Sequence, residues 1–476
     1  MKICVLQPDY ATSDVDYQYY DPARDLSHLL PDALFHHVLL NKLSVYKQLK
    51  ELKKSNYDIF VNLCEGYLEW NVPSIDVIYF MEMLNLPFTG PSSMLYDPPK
   101  NLMKYVAYTE GILTPAFALV ESIADIEREC NHLKYPLFVK PGKAGDSLGV
   151  DQQSLVYDKA ALLQKSEDII EEYGPLLVEE YIGGREFTVM LVADADNKKK
   201  CTVFKPVEYI FPTGFQFKTY ALKTSELHPE ANIPCDDQEL EAKLKDAAVK
   251  IFQGFDGVGY ARLDFRVNDK QDIFFLEINF TCSVFYKDGY EGSADYILKA
   301  DGVGQAGFLQ KIISEGIARH KRKQKKYIMK GNSIAGYGIY STQNIAANEL
   351  IFKGEELAQR IVTRNYVNGC WEEKEKDIFK KYAYPLSKEV FLLWDNNPAN
   401  WAPQNHSCNP NTTYEGLNVI ALQNIPEGEE LTLDYSTFLD ENMEPFDCRC
   451  GSQNCRGRIT GMINNSVTTR EISRNG

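Results

Sequence analysis

Four cysteines near the C-terminus carry the sharpest chemical signal in the chain. Cys448, Cys450 and Cys455 form a C-x-C-x4-C cluster in "DCRCGSQNCRG", and Cys408 lies upstream in "NHSCNPN". Thiolates at such spacing can converge on one tetrahedral Zn2+, each at about 2.3 Å, and a four-sulfur shell leaves no coordination position open for chemistry. The expected site is therefore structural, holding a tail against the body of a domain. Four buried free thiols would explain neither the spacing nor the polar flanks.

A second set is made of oxygens. "GYARLDFRVND" and "IFFLEINF" read as adjacent strands. Side chains two apart on a strand share a face, which pairs Arg262 with Asp264 and Glu277 with Asn279. Asp264, Glu277 and Asn279 suit Mg2+, which takes few protein ligands and fills its shell with phosphate oxygens and water. Arg262 beside them could stabilise charge on a transferring phosphoryl group. Exposed carboxylates at a strand edge would not account for an Arg and an Asn placed among Phe274, Phe275, Leu276 and Ile278. Upstream, "YPLFVKPGKAGDSLGV" is a strand carrying Lys140 that runs into a glycine-bearing loop. Glycines let backbone N–H groups approach a phosphate, and the lysine adds fixed positive charge.

The elements that must position these groups divide the chain. At 476 residues it exceeds what one hydrophobic core normally serves. The first two-thirds alternates strands and helices, an α/β rhythm. "KICVLQ" and "YDIFVNLC" read as buried strands, with a helix starting near Pro73-Ser74. "PKNLMKYVAYTEGILTPAF" is a helix with Lys104 that ends at Gly111. The basic run "RHKRKQKKY", Arg319 to Tyr327, follows an apparent helix and reads as a solvated linker. Beyond it the pattern turns to glycines and short strand-like runs.

Taken in order, residues Asp58 to Ala318 resemble the ATP-grasp superfamily, nearest its D-alanine–D-alanine ligase branch. The likeness rests on "VNLCEGYLEWNVPSIDVIYFMEMLNLPFTGPS", the Lys140 strand and loop, "LLVEEYIGGREFTVMLV" and "ARLDF…LEIN". It implies that Lys104 and Lys140, with Ser147 in the loop, hold ATP phosphates. Glu179, Glu180 and Ile182 would belong to the adenine hinge, Glu186 would meet the ribose, and Lys223 would be a further phosphate lysine. Such enzymes activate a carboxylate as an acyl phosphate, which an amine attacks to give an amide. Three features depart from the branch: "MKICVLQPDY" lacks its glycine-and-glutamate signature, "FTCSVFY" replaces its Ser-Pro-Gly-Met type loop, and Asp146 replaces a serine. The ATP machinery is kept while the substrate pockets are rewritten.

The last third resembles a SET-domain methyltransferase with a post-SET zinc motif. The residues are "GNSIAGYGIY", NHSC-x-PN, "EGEELTLDYS" and CxCG-x3-CRG. By that likeness a Gly336-Tyr337-Gly338 turn would sit beside S-adenosylmethionine, Asn405 and His406 would complete its pocket, and Tyr435 would be the catalytic tyrosine. Tyr382 and Tyr384 in "KYAYPL" are candidate channel tyrosines. Methyl transfer needs a neutral amine, and a narrow desolvating channel supplies one from a lysine-type amine whose free pKa is about 10.4. Ala402-Pro403-Gln404 stands where the family has an Arg-Phe pair and an apolar residue.

The sequence is thus expected to hold an α/β N-terminal domain over residues 1–95, an ATP-grasp domain of two α+β subdomains over 96–318 and a basic linker over 319–328. A mostly-β SET domain over 329–445, a zinc segment over 446–460 and a tail over 461–476 complete it. The expected function is a ligase joined to an amine N-methyltransferase, acting on an amino acid, amine or peptide or on a protein lysine. The alternative is a protein-lysine methyltransferase whose first half is a binding module. A net charge of −16 opposes general nucleic-acid affinity. No apolar run approaches about 20 residues, and the N-terminus lacks a secretory apolar stretch. Zinc thiols that must stay reduced point to the cytoplasm. A homodimer is compatible with all of this.

Overall fold

The computed structural model describes residues 1–11, 21–65, 71–142, 147–197, 199–220, 222, 231–354, 359–394, 404–440 and 444–461. The chain forms two compact units, Met1–Arg322 and Lys323–Gly476. No helix among the described residues is long and apolar enough to cross a membrane.

The first unit opens on a parallel three-stranded sheet. Lys2–Pro8 lies between Leu34–Leu40 and Ile59–Asn62. The two outer-sequence strands are apolar runs buried along almost their whole length, as strands covered on both faces must be. Leu34–Leu40 is half-exposed at the edge, and its two histidines hid it from the sequence pattern. The helix Ile75–Met83 follows Ser74 as expected.

A four-stranded antiparallel sheet then runs Phe117–Val120, Leu176–Glu180, Leu137–Pro141, Leu155–Val156. A six-stranded sheet follows, with Arg185–Ala193 and Tyr260–Val267 at its centre, Ile273–Asn279 on one edge and Val207–Tyr209 beyond Arg185–Ala193. The helix Gln238–Gly254 packs its buried Leu240, Leu244, Ile251 and Phe252 into the same core as Leu263, Phe265 and Phe275. Asp237 caps it, accepting from the backbone of Glu239 and Leu240, one of the strongest start signals a sequence carries.

The helix Gly304–Lys323 corrects the linker boundary. Five residues of the basic run are helical, and Arg319 is buried rather than solvated. Its guanidinium donates to the carbonyls of Phe88 and Gly90 at 2.6 and 2.7 Å and lies over the Phe88 ring. An arginine that bonds carbonyls from a distant loop looks, in sequence, like any other member of a charge run.

The second unit is built of short strand pairs. Tyr327–Asn332 and Gly336–Ser341 form an antiparallel hairpin. Leu350–Phe352, Asn418–Ala421 and Thr412–Glu415 make one small sheet, and Gln359–Thr363, Val390–Trp394 and Tyr384–Pro385 another. The helices Arg364–Cys370 and Glu373–Tyr382 pack beside the second of these. Asn405–His406 pairs in parallel with Thr432–Leu433. That pairing brings "NHSC" alongside "LTLDYS".

Candidate functional sites

A cleft in the first unit is lined by both antiparallel sheets. Lys140, Ser147, Glu180 and Ile182 reach it from one side, and Glu186, Asp264 and Glu277 from the other. Register places Asp264 opposite Glu277 and Arg262 opposite Asn279 on adjacent strands, so the four predicted side chains form one patch. Arg262 is 3.3 Å from Asp264 Oδ2. Asp264 Oδ1 and Asn279 Nδ2 are buried without a hydrogen-bond partner. Buried polar atoms are otherwise almost always satisfied. The unmet Asp264 carboxylate oxygen next to Glu277 fits a hard cation such as Mg2+, to which Asn279 can offer only its amide oxygen.

Lys104 does not face this cleft. Its ammonium is fully buried, 2.5 Å from Glu179 Oε1 and 2.9 Å from the Leu276 carbonyl. The phosphate role of Lys104 is what the family resemblance implies. Lys100, one helical turn earlier, is the lysine that lines the cleft, paired with Glu277 at 3.0 Å. Four apart, Lys100 and Lys104 share one helix face, so spacing alone does not separate their roles. Glu179 also lines the cleft, and its second oxygen is 2.5 Å from Lys140, so the carboxylate bridges two lysines. Glu180 accepts from the Lys134 backbone. Lys218, Phe217 and Arg266 also line the cleft and had not been anticipated. Glu186 is held by Lys218 at 3.0 Å and by Arg266 at 3.0 Å. Lys223 and Asp146 lie outside the described residues. The "FTCSVFY" segment is mostly core, with Phe280, Cys282, Val284 and Phe285 buried. Its Ser283 donates to Glu65 at 2.5 Å.

Burial lowers Lys104 to about 8, against the attraction of Glu179. Burial works to raise Glu179, yet its two lysines outweigh that and hold it at about 2. The geometry supports a paired carboxylate with Lys104 charged beside it. Because the folded pKa of Glu179 lies below the ordinary 4.5, its contribution is complete above about pH 4.5 and is lost as pH falls through about 2. Glu179→Gln should therefore cost about 3–5 kcal/mol at pH 7 by leaving buried lysines uncompensated. Denaturation series should show wild type and variant converging as pH approaches 2; a pH-independent gap would refute the ion pair.

The second unit holds a cavity of about 850 Å3. Tyr337, Asn405, His406 and Tyr435 line it, with Tyr382 and Tyr414. Gly336-Tyr337-Gly338 is not a turn, since the turn precedes it and these residues begin the strand. At Gly338 a Cβ would stand 2.2 Å from Glu430 Oε1 and 2.8 Å from Asn405 Nδ2. Asn405 donates to that carboxylate and to the Tyr337 carbonyl, at 2.7 and 2.8 Å. Glycine thus lets backbone, amide and carboxylate close together into a polar cradle, which fits S-adenosylmethionine. Tyr435 donates its hydroxyl to the Gln404 carbonyl at 2.5 Å, and burial pushes its pKa well up. It stays a neutral phenol. Tyr384 instead stacks on Phe438 and meets Tyr414 edge-on. Ala402 and Pro403 lie outside the described residues, while Gln404 is buried and bonds Thr412.

The cysteines converge. Ligand atoms of Cys408, Cys448, Cys450 and Cys455 all lie within 4.8 Å of one another, and the Cys408 and Cys448 sulfurs are 3.8 Å apart. An ideal tetrahedron of Zn–S bonds has edges of about 3.8 Å, so the donor set fits zinc. His406 accepts the Tyr435 N–H at Nδ1 (3.1 Å), which leaves its proton on Nε2, 3.4 Å from Cys408 sulfur. Arg456 donates its backbone N–H to the same sulfur and its guanidinium to Asp434 (2.5 Å) and Ser436 (2.7 Å). The cysteine segment thereby grips the turn that carries Tyr435. If one zinc forms this knot, elemental analysis of protein purified without chelator will find one equivalent per chain. Cys450→Ser should lose it and speed amide exchange across residues 446–459, leaving residues 1–322 unchanged.

Comparison with known proteins agrees with both halves. Residues 108–285 match the family model "D-ala D-ala ligase C-terminus", and residues 336–436 match "SET domain". The chain is 28% identical over 209 residues to a D-alanine–D-alanine ligase of Cupriavidus necator, covering 42% of this chain and 59% of that protein. It is 32% identical over 205 residues to the Syntrophotalea carbinolica ligase, covering 42% and 61%. The chain therefore spans about three-fifths of the length of these relatives. The crystal structure of the Bacillus anthracis D-alanine–D-alanine ligase complexed with ATP superposes with a TM-score of 0.49 at 18% identity, covering 68% of this chain and all of that one. One polypeptide thus carries a first segment similar to the C-terminal part of D-alanine–D-alanine ligases and a later segment similar to SET domains.

Proposed function

We propose that the chain is a bifunctional enzyme: an ATP-dependent carboxylate–amine ligase joined to an S-adenosylmethionine-dependent amine N-methyltransferase. The observation that carries the first half is one cleft lined by Lys100, Lys140, Asp264 and Glu277. A substrate carboxylate would attack the γ-phosphoryl group of ATP, releasing ADP and forming an acyl phosphate. An amine would then attack the acyl carbon, expel phosphate and leave an amide. Lys140, Lys100 and Ser147 would bind phosphate oxygens, Ile182 would pack on the adenine, and Arg262 would steady charge on the group being transferred. Mg2+ held by Asp264, Glu277 and Asn279 would neutralise phosphate charge. The core packing of "FTCSVFY" and the Ser283–Glu65 bond support a substrate other than D-alanine.

In the second half the cradle at Gly338, Asn405 and Glu430 would hold the methyl donor. An amine nitrogen would attack the methyl carbon, and the C–S bond would break to leave S-adenosylhomocysteine. Tyr435, held by Gln404 and packed on Phe438 and Phe446, would orient the amine in a desolvated channel. A shared chain raises the effective concentration of each activity for the other's product. We therefore favour a small amine, amino acid or peptide with a lysine-like amine as common substrate, handled in the cytoplasm, over a protein lysine.

Two experiments test this. Purified protein with Mg-ATP and a panel of amino acids and amines should release phosphate, and Glu277→Gln should lower that release at least about 100-fold with the fold intact; ADP formation at the wild-type rate would refute the metal assignment. Labelled S-adenosylmethionine in cell extract split at about 10 kDa should label the small-molecule fraction. Tyr435→Phe should cut that labelling far more than it weakens donor binding by calorimetry. Label confined to protein would identify a protein lysine as acceptor.

A further inference from the structure

We propose that Arg266 is a positioning residue that latches the nucleotide hinge to the loop covering the cleft, and so sets the affinity for ATP. The proposal rests on the ATP reading above. Arg266 is 3% exposed, on the strand Tyr260–Val267, and lines the cleft. A guanidinium so buried is costly unless every direction of its fork finds an acceptor.

It finds them on three separate segments. Nη1 donates to Tyr181 Oη, the Ile182 carbonyl and the Gly184 carbonyl, at 3.3, 3.5 and 3.4 Å. These belong to the hinge. Nη2 donates to Glu186 Oε2 at 3.0 Å and to the Gln216 carbonyl at 2.6 Å. The hydroxyl of Tyr181 donates to that same carbonyl at 3.0 Å. The guanidinium also lies against the rings of Tyr181 and Phe211, 5.4 and 5.1 Å from their centroids. Hinge and loop therefore meet on one planar cation, from opposite edges.

What the loop carries makes the latch functional. Phe217 and Lys218 directly follow Gln216 and both line the cleft. Phe217 packs edge-on to Phe138 at 4.9 Å, and Lys218 pairs with Glu186 Oε1 at 3.0 Å. One anchored carbonyl thus delivers an aromatic wall and a cation to the nucleotide site. The hinge side is shaped for the same contact. At Gly184, with φ +106, a Cβ would sit 2.2 Å from the Val267 carbonyl, so only glycine lets the hinge lie this close to the Arg266 strand. Lysine cannot replace the fork, because an ammonium is a point charge that cannot span both segments.

The test uses the full-length chain. ATP binding is measured by calorimetry with Mg2+, and amide exchange is followed with and without ATP. Arg266→Met should weaken ATP on the order of 10-fold or more and speed exchange at 181–184 and 211–220, while exchange in Lys2–Pro8 and Asn418–Ala421 stays as in wild type. Arg266→Lys should not restore affinity. Tyr181→Phe removes the hydroxyl that bonds both the Gln216 carbonyl and Arg266 Nη1 but leaves the buried cation with its other acceptors; it should show a smaller loss, less than additive with Arg266→Met. ATP affinity within twofold of wild type in Arg266→Met, with unchanged exchange at 211–220, overturns the latch. If wild type binds no ATP, the ATP reading fails. Exchange at 211–220 without nucleotide then judges the latch by itself: acceleration in Arg266→Met supports it, and none overturns it.

Discussion

One buried carboxylate holds the first unit together. Glu179 lies on the strand Leu176–Glu180, and its two oxygens take Lys104 from the helix Lys100–Thr109 and Lys140 from the neighbouring strand. Lys104 in turn donates to the Leu276 carbonyl on the strand that carries Glu277. Helix, four-stranded sheet and metal-side strand are therefore joined through a single ion cluster. Charges so buried cost much desolvation, and only a closed set of partners offsets it. The cluster consequently has one geometry, and the cleft inherits it. Lys140 and Glu277 face each other across the cleft because the groups behind them cannot move independently.

The SET half solves the same problem with less core. Its sheets have two or three strands each, and its largest buried cluster centres on Ile339, Val419 and Leu431. Short strands bury little apolar area, so they leave the loops around the cavity underdetermined. The four cysteines and Arg456 supply the missing constraint. They tie the end of the described chain to Cys408 and Asp434, which flank the parallel pair carrying Asn405, His406 and Thr432. Metal binding there would be folding energy for the cavity wall as well as for the tail.

The Arg266 and Arg319 sites show a third use of buried cations. Each gathers backbone carbonyls from loop segments such as those of Gln216, Phe88 and Gly90. A buried carbonyl left alone costs about as much as a lost hydrogen bond. Arginine meets several at once because its donors are fixed in a plane.

Period-two alternation and short motifs made much legible in advance. The strands bearing Lys140, Glu186, Asp264 and Glu277, the shared face of Arg262 with Asp264, and the convergence of four cysteines all follow from spacing along one or two segments. Local spacing determines these because a strand has only two faces and a thiolate cluster only one geometry for its ion. The sequence by itself therefore determined the α/β and mostly-β character of the two parts, the strands carrying the chemistry and the set of four cysteines. Only the tertiary structure decided which helical lysine enters the cleft, that Glu179 is spent on Lys104 and Lys140, that Gly336 opens a strand, and that Arg266 and Arg319 are buried donors. Those outcomes depend on partners distant in the chain, such as Glu277 for Lys100, 177 residues away, and Phe88 for Arg319, 231 residues away. A lysine or arginine has the same local pattern whether its head reaches water, phosphate or a distant carbonyl, and packing alone selects among them.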